Sequence, residues 1–341
     1  MNRLLPFILS IAVLASAANP PQRPLQVYFA DVEGGQATLF VTPDGHSLLI
    51  DTGWGDNGNR DARRIVALAR QAGIARIDCV LITHFHADHV GGVPQLAAMI
   101  PIGTFIDHGE NRETANPEVV RLYQAYQAEV ARGGYRHIVA WPGDKLPVEG
   151  LDATVVSADG NLIDRPLPGA GEANSACEKA KLVVADTTEN ERSVGTVIAF
   201  GRLRFLDLGD LTMDKEFPLV CPLNKLGDID VYIVSHHGWL QSGSKELVWG
   251  IHPQVAIMDN GARKGGSPSA WDIIHSAPGL EDLWQLHYSE EGAAAHNVAP
   301  QFIANVEGPD EGNYLKLTAW PDGNYEIFNS RTRKTKKYNA R

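Results

Sequence analysis

Four side chains able to hold a metal ion fall within six residues, in the run His84-Phe85-His86-Ala87-Asp88-His89. Imidazole nitrogens and carboxylate oxygens are the donors that bind zinc and related divalent ions. Packed together in a dry core, such groups need a cation between them; scattered in water, they would have no reason to be neighbours. A divalent ion held there would lower the pKa of a bound water until hydroxide exists near neutral pH. The chemistry expected is therefore hydrolytic. No Gly-x-Ser-x-Gly segment offers a serine nucleophile instead.

The surrounding chain is built to hold this run at the end of a rigid element. Residues 76–83 are apolar and strand-like, and the donors follow at once, where reactive groups usually sit. Gly91-Gly92 then lets the backbone turn sharply into a helix at 93–100. Strands are expected at 25–30, 37–41, 47–50, 102–107, 153–157, 194–200, 203–208, 230–235, 255–258, 284–288, 314–319 and 325–328. Helices are expected at 61–72 and 117–132. Residues 142–192 otherwise read as loop. Two packed sheets covered by outer helices fit this order, and no linker divides the chain.

Three further segments end strands in polar residues: Asp51-Thr52-Gly53, Gly209-Asp210 and Ser235-His236-His237-Gly238. With Thr83-His84-Phe85-His86-Ala87-Asp88-His89-Val90-Gly91-Gly92, they stand in the order found in metallo-β-lactamase-fold hydrolases, which the chain resembles over roughly residues 25–237. The His-His-Gly ending after a Gly-Asp pair is most similar to the extracytoplasmic domain of the competence protein ComEC and to secreted phosphodiesterases. The resemblance implies an α/β fold, an αββα sandwich of two mixed sheets flanked by helices. It also implies two divalent ions, zinc first, with manganese or iron as alternatives. His84 and His86 would hold the first ion, Asp88 and His89 the second, and Asp210 would bridge them. His236 or His237 would complete the second site; His236, first off the strand, is preferred. Asp51 would orient the ligand loop from behind.

One expected donor is missing. Where many family members offer a third histidine to the first ion, this chain has Thr188-Glu189-Asn190-Glu191-Arg192-Ser193. Asn190 and His108 are the substitutes to consider, as ligand or substrate contact. For the leaving group, Asn260, Lys264, His287 and His296 are candidates. His287 is the preferred catalytic residue among them, beside Asp88 and Asp210. The resemblance favours phosphodiester or other phosphoester substrates. The alternatives are a β-lactamase or lactonase and a non-catalytic periplasmic metal-binding module.

The ends and composition set the context. Residues 1–17 open on the positive segment Met1-Asn2-Arg3, continue with an apolar run and close on Ala15-Ser16-Ala17, the pattern of a cleavable secretory signal. A secreted or periplasmic location follows, with no membrane span after cleavage. A hydrolase domain is expected over 22–330. The end, 331–341, carries six Lys or Arg in eleven residues and reads as a basic, solvated tail. A net charge of −11 argues against strong nucleic-acid binding, so the expected partner is a small-molecule or phosphoester substrate. Cys79 lies in an apolar run as a core thiol, while Cys177 and Cys221 are free to pair in an oxidising compartment. The sequence leaves the oligomeric state open.

Overall fold

Side-chain alternation along the strands decides which layer each residue enters. In β1 (Leu25–Phe29), Leu25, Val27 and Phe29 point into the space between two sheets, while Tyr28 points outward beneath helices. The same split places Phe40 inward and Leu39 outward in β2 (Thr38–Val41). It places Leu48 and Ile50 inward and Leu49 outward in β3 (Ser47–Ile50). A computed structural model describes residues 23–55, 57–179 and 185–341, so the signal sequence expected at 1–17 lies outside the described residues.

The chain continues through α1 (Arg60–Gln71), β4 (Ile77–Leu81), α2 (Ala87–Val90), α3 (Val93–Ala97), β5 (Ile102–Asp107), α4 (Pro117–Ala131), β6 (Arg136–Val139), β7 (Asp152–Ala158) and β8 (Asn161–Leu162). The second half runs through β9 (Gly195–Phe200), β10 (Leu203–Asp207), α5 (Met213–Val220), β11 (Val231–Ile233), α6 (Lys245–Gly250), β12 (Val255–Met258), α7 (Pro268–His275), β13 (Asp282–His287) and β14 (Ile303–Asn305). The final strands are β15 (Leu315–Ala319), β16 (Asn324–Asn329) and β17 (Lys334–Asn339).

One sheet has the order β17-β16-β15-β1-β2-β3-β4-β5-β6 and the other β14-β13-β12-β11-β10-β9-β7-β8. Both are mixed. β3 to β6 run parallel, as do β10 to β14, and the rest pair antiparallel. Apolar residues from both sheets fill the middle layer, where the rings of Phe40 and Phe205 meet edge-on at 5.4 Å. Ile65 and Leu96 of α1 and α3 pack on the outside of the first sheet. Leu219, Leu247 and Ile274 of α5, α6 and α7 pack on the outside of the second. The expected four-layer αββα sandwich is the observed architecture.

The basic end departs from expectation. Rather than a solvated tail beyond residue 330, residues 334–339 pair with β16 as the outermost strand, and Tyr338 and Ala340 are buried. Tyr338 stacks on Tyr325 at 5.0 Å, and its hydroxyl donates to Asp282 Oδ2 at 2.7 Å. The lysines face solvent along the sheet edge, where charge discourages pairing with another chain. Charge density thus reflected an edge strand. Cys177 and Cys221 form a disulfide, tying the loop before β9 to the end of α5, and Cys79 is a buried thiol. Among the described residues, no helix is long and apolar enough to cross a membrane.

Candidate metal centre

The parallel strands deliver their polar loops to one place. Asp51 follows β3 and His84 to His89 follow β4, whereas Asp210 follows β10, His236 and His237 follow β11, and Asp259 follows β12. Crevices at the carboxyl ends of parallel strands are where open α/β sheets bind ligands.

Four donors converge. Asp88, His89, Asp210 and His237 each offer an atom within 4.8 Å of the others, and all four are buried. His237 Nε2 lies 3.2 Å from Asp88 Oδ2, 3.4 Å from Asp210 Oδ1 and 3.2 Å from His89 Nε2. His89 Nε2 lies 3.3 Å from both Asp88 Oδ2 and Asp210 Oδ2. A second pair adjoins them. His84 Nε2 is 3.1 Å from His86 Nδ1 and 3.9 Å from Asp210 Oδ2, so Asp210 lies between the two groups. His237 rather than His236 is the fourth member of the tetrad. His236 Nε2 reaches Asp210 Oδ2 at 3.3 Å from another side. Its Nδ1 lies 3.2 Å from the Ser242 hydroxyl.

Each inward-facing imidazole is held from behind. Asp51 Oδ2 lies 2.7 Å from His89 Nδ1 and accepts from the Thr83 hydroxyl, and Asp51 Oδ1 accepts from Thr83 N. Glu113 Oε2 lies 3.0 Å from His86 Nε2; Asp259 Oδ1 stands 3.3 Å from His237 Nδ1, within ion-pair reach but without hydrogen-bond geometry. Thr83 and Ser193 hydroxyls flank His84 Nδ1 at 3.0 and 3.4 Å. Carboxylates behind metal-binding imidazoles fix the tautomer and ring orientation. Asp51 stands behind His89 and Thr83. Asp259, which ends an apolar strand, carried a usable signal that was missed. Glu113 and Ser193 sit in loops without one.

The backbone is strained where it presents these groups. His236 and His237 have φ of 54° and 55°, and Asp51 has φ of 60°. Non-glycine residues in this region cost on the order of 1–3 kcal/mol each. His236 N donates to Gly209 O at 2.9 Å and Gly266 N to His237 O at 2.9 Å, which fixes the strained pair. Gly35 packs so closely on the Asp88 carbonyl that any Cβ there would collide with it.

The protonation states suit an ion. Burial would lift Asp210, but His236, His89 and His237 hold its carboxyl well below the usual range. Burial likewise opposes ionisation of Asp88, and Lys264 and His89 overcome it. Burial, together with His89 and His86, keeps His84 neutral, with a lone pair to give. Burial and Lys264 press His237 down, yet Asp210 and Asp259 carry it up to about 9. In the ion-free chain, protons on His89 and His237 thus do part of a cation's work, and an ion must expel them. Asp210 Oδ1 is buried with no hydrogen-bond partner. An unsatisfied carboxylate oxygen facing imidazole nitrogens fits a divalent ion, with His84 and His86 as donors to a second one.

Other candidates lie apart from the tetrad. His108 Nε2 lies 2.9 Å from Glu189 Oε2, and the His108 ring packs on Phe85 at 4.6 Å. It supports the ligand loop, because Glu189 also accepts from Phe85 N. Asn190 is buried, with Oδ1 unpartnered. His287 belongs to a separate cluster with Asp31, 2.6 Å from its Nε2, and Glu33 at 3.8 Å. Asn260 clamps the His287 backbone, and His296 lies against Trp271. Lys264 alone of the leaving-group candidates reaches the centre, pairing with Asp88 and donating to Gly34 O at 2.9 Å.

Residues 31–212 match the model of the metallo-beta-lactamase superfamily. The chain belongs to that superfamily. The tetrad is its candidate ion site. It is 34% identical to a hydroxyacylglutathione hydrolase of Stenotrophomonas maltophilia over 105 residues, 31% of this chain and 37% of the relative. It is 26% identical to recombination protein 2 of Haemophilus influenzae over 237 residues, 69% of this chain and 24% of the relative. The chain therefore spans well under half of these curated relatives. Among solved structures, a putative metal-dependent hydrolase from Parabacteroides distasonis aligns at 16% identity and a TM-score of 0.43, covering 76% of this chain and 92% of that one.

Proposed function

We propose that this superfamily member hydrolyses phosphodiesters or related phosphoesters outside the cytoplasm. The observation that carries the reading is the company around Asp88 and Asp210: four imidazoles within 4 Å of their oxygens, and the Lys264 ammonium on Asp88. Divalent ions bound there would supply Lewis acidity and an activated water. Asp88 and Asp210 would balance their charge, Asp51, Glu113 and Asp259 would hold the imidazoles in register, and Lys264 would offer a fixed positive charge to an anionic substrate. The alignment with recombination protein 2, over 69% of this chain, is the comparison that leans toward a nucleic-acid ester. The Cys177–Cys221 disulfide suits an oxidising compartment, in keeping with the leader read at 1–17.

A second reading, hydrolysis of an acyl thioester, draws on the higher local identity to hydroxyacylglutathione hydrolase. Purified protein loaded with zinc or manganese should cleave bis(p-nitrophenyl) phosphate faster than S-lactoylglutathione or nitrocefin. Turnover of the thioester alone would reverse the order of the two readings. Full metal loading without any turnover would leave a metal-binding module.

A further inference from the structure

Lys264 is fixed in place as few surface lysines are. Its carbonyl accepts from Gly261 N at 2.8 Å, closing a tight turn. The next residues lock that turn to the ligand segment, with Gly266 N donating to His237 O and Ser267 N to Gly238 O, each at 2.9 Å. On the other side, Gly34 packs so closely that a Cβ there would lie 2.9 Å from Lys264 Cβ. An ammonium has three N–H donors. Among the described residues, Lys264 gives one to Gly34 O and one to Asp88 Oδ2. The third has no acceptor among the described residues, and the side chain is one-third exposed.

Beside it stands Trp54, its ring centroid 5.6 Å from the ammonium nitrogen. Trp54 hangs from a segment pinned at every residue. Thr52 N and Oγ1 donate to His89 O at 2.8 Å, Gly53 N donates to Gln36 O, and Trp54 N donates to the buried Asp61 at 2.8 Å. Trp54 is only partly buried. The backbone is thus rigid while the ring stays open, next to a cation with one donor to spare.

We propose that Lys264 and Trp54 form the recognition arm of the metal centre, the ammonium taking an anionic oxygen of a phosphodiester and the indole face taking a planar, nucleobase-like group esterified to it. This rests on the phosphodiester reading. A phosphate oxygen hydrogen-bonded to Lys264 places a ring attached a few bonds away over the indole, and stacking on an aromatic platform tolerates any base. The net charge of −11 disfavours a long polyanion, so the substrate class is a short nucleotide ester rather than duplex nucleic acid.

The test uses metal-loaded protein and two substrates with the same leaving group, thymidine 5′-(p-nitrophenyl phosphate) and methyl p-nitrophenyl phosphate. Trp54→Ala should lower the ratio of their kcat/KM values about tenfold through KM, and Trp54→Phe should restore most of it. Lys264→Met should raise KM for both diesters by about tenfold, with Lys264→Arg intermediate. Thymidine 5′-monophosphate should quench fluorescence less in Trp54→Phe than in the parent, a binding readout independent of turnover. An unchanged substrate ratio in Trp54→Ala would refute the arm and leave the phosphodiester reading standing. Cleavage of S-lactoylglutathione but of neither diester by the parent protein would overturn both.

Discussion

Replacing Asp51 by Asn tests whether the groups behind the centre decide its affinity. The carboxylate is fully buried and accepts from Thr83 N at 2.8 Å and the Thr83 hydroxyl at 2.7 Å, with His89 Nδ1 at 2.7 Å. An Asn keeps the shape but substitutes an NH2 for one oxygen. In the parent, His89 can give up its Nε2 proton to an incoming ion and keep the Nδ1 proton that faces Asp51. If the Asn carbonyl stays on Thr83 N, the NH2 confronts His89 Nδ1, so the tautomer with Nε2 free for an ion loses its acceptor. Loss of such a supporting carboxylate costs about 10- to 100-fold in metal affinity, or about 1.4–2.8 kcal/mol. The ion-free protein should lose about 1–3 kcal/mol, the cost of one unmatched buried donor. Competition with a fluorescent zinc chelator at pH 7.5 measures the first quantity, and urea unfolding of the stripped protein measures the second. A zinc Kd within twofold of the parent, in a variant with unchanged circular dichroism, would refute the role given to Asp51.

Three further predictions follow the same geometry. His237→Ala should lose an equivalent of bound metal in elemental analysis, whereas His236→Ala should retain more; the reverse order would return the ligand role to His236. Cleaving the Cys177–Cys221 link, which spans 44 residues, should cost about 4 kcal/mol by loop-closure entropy, read from urea unfolding of Cys177→Ser/Cys221→Ser, and identical midpoints would sink the estimate. Burial pushes Glu216 up to about 7, opposed by the N–H groups of Ser244 and Gly243. The folded state therefore holds this proton more tightly than the unfolded state. Its contribution is full below about pH 4.5 and lost as pH rises through about 7, roughly 3 kcal/mol in all. Glu216→Gln should flatten that part of the stability–pH curve, and equal slopes for both proteins would contradict it.

Much of this was legible in the chain because the ligand loops follow apolar strands. The runs leading into Asp51, His84, Asp210 and His236 announce both an element and its end, and 47–50, 102–107 and 255–258 are strands at those bounds. What escaped was short or set by tertiary contact. α5, α6 and α7 have eight residues or fewer, and α5 contains Pro218, so periodicity had little to work on. The choice of His237 over His236 depends on two successive left-handed residues, which strand order does not reveal. Glu113 reaches His86 from a loop 27 residues away. His287 looked catalytic because it ends a strand, but Asp31 and Glu33, far off in sequence, claim it.

The pairing of β1 with β15 carries a consequence for how the fold assembles. Leu25 and Phe29 sit opposite Ala319 and Leu315, so one flank of β1 stays unpaired until a segment very distant along the chain docks on it. Contacts of such long sequence separation form slowly, and the sheet that carries the His84 loop therefore closes late.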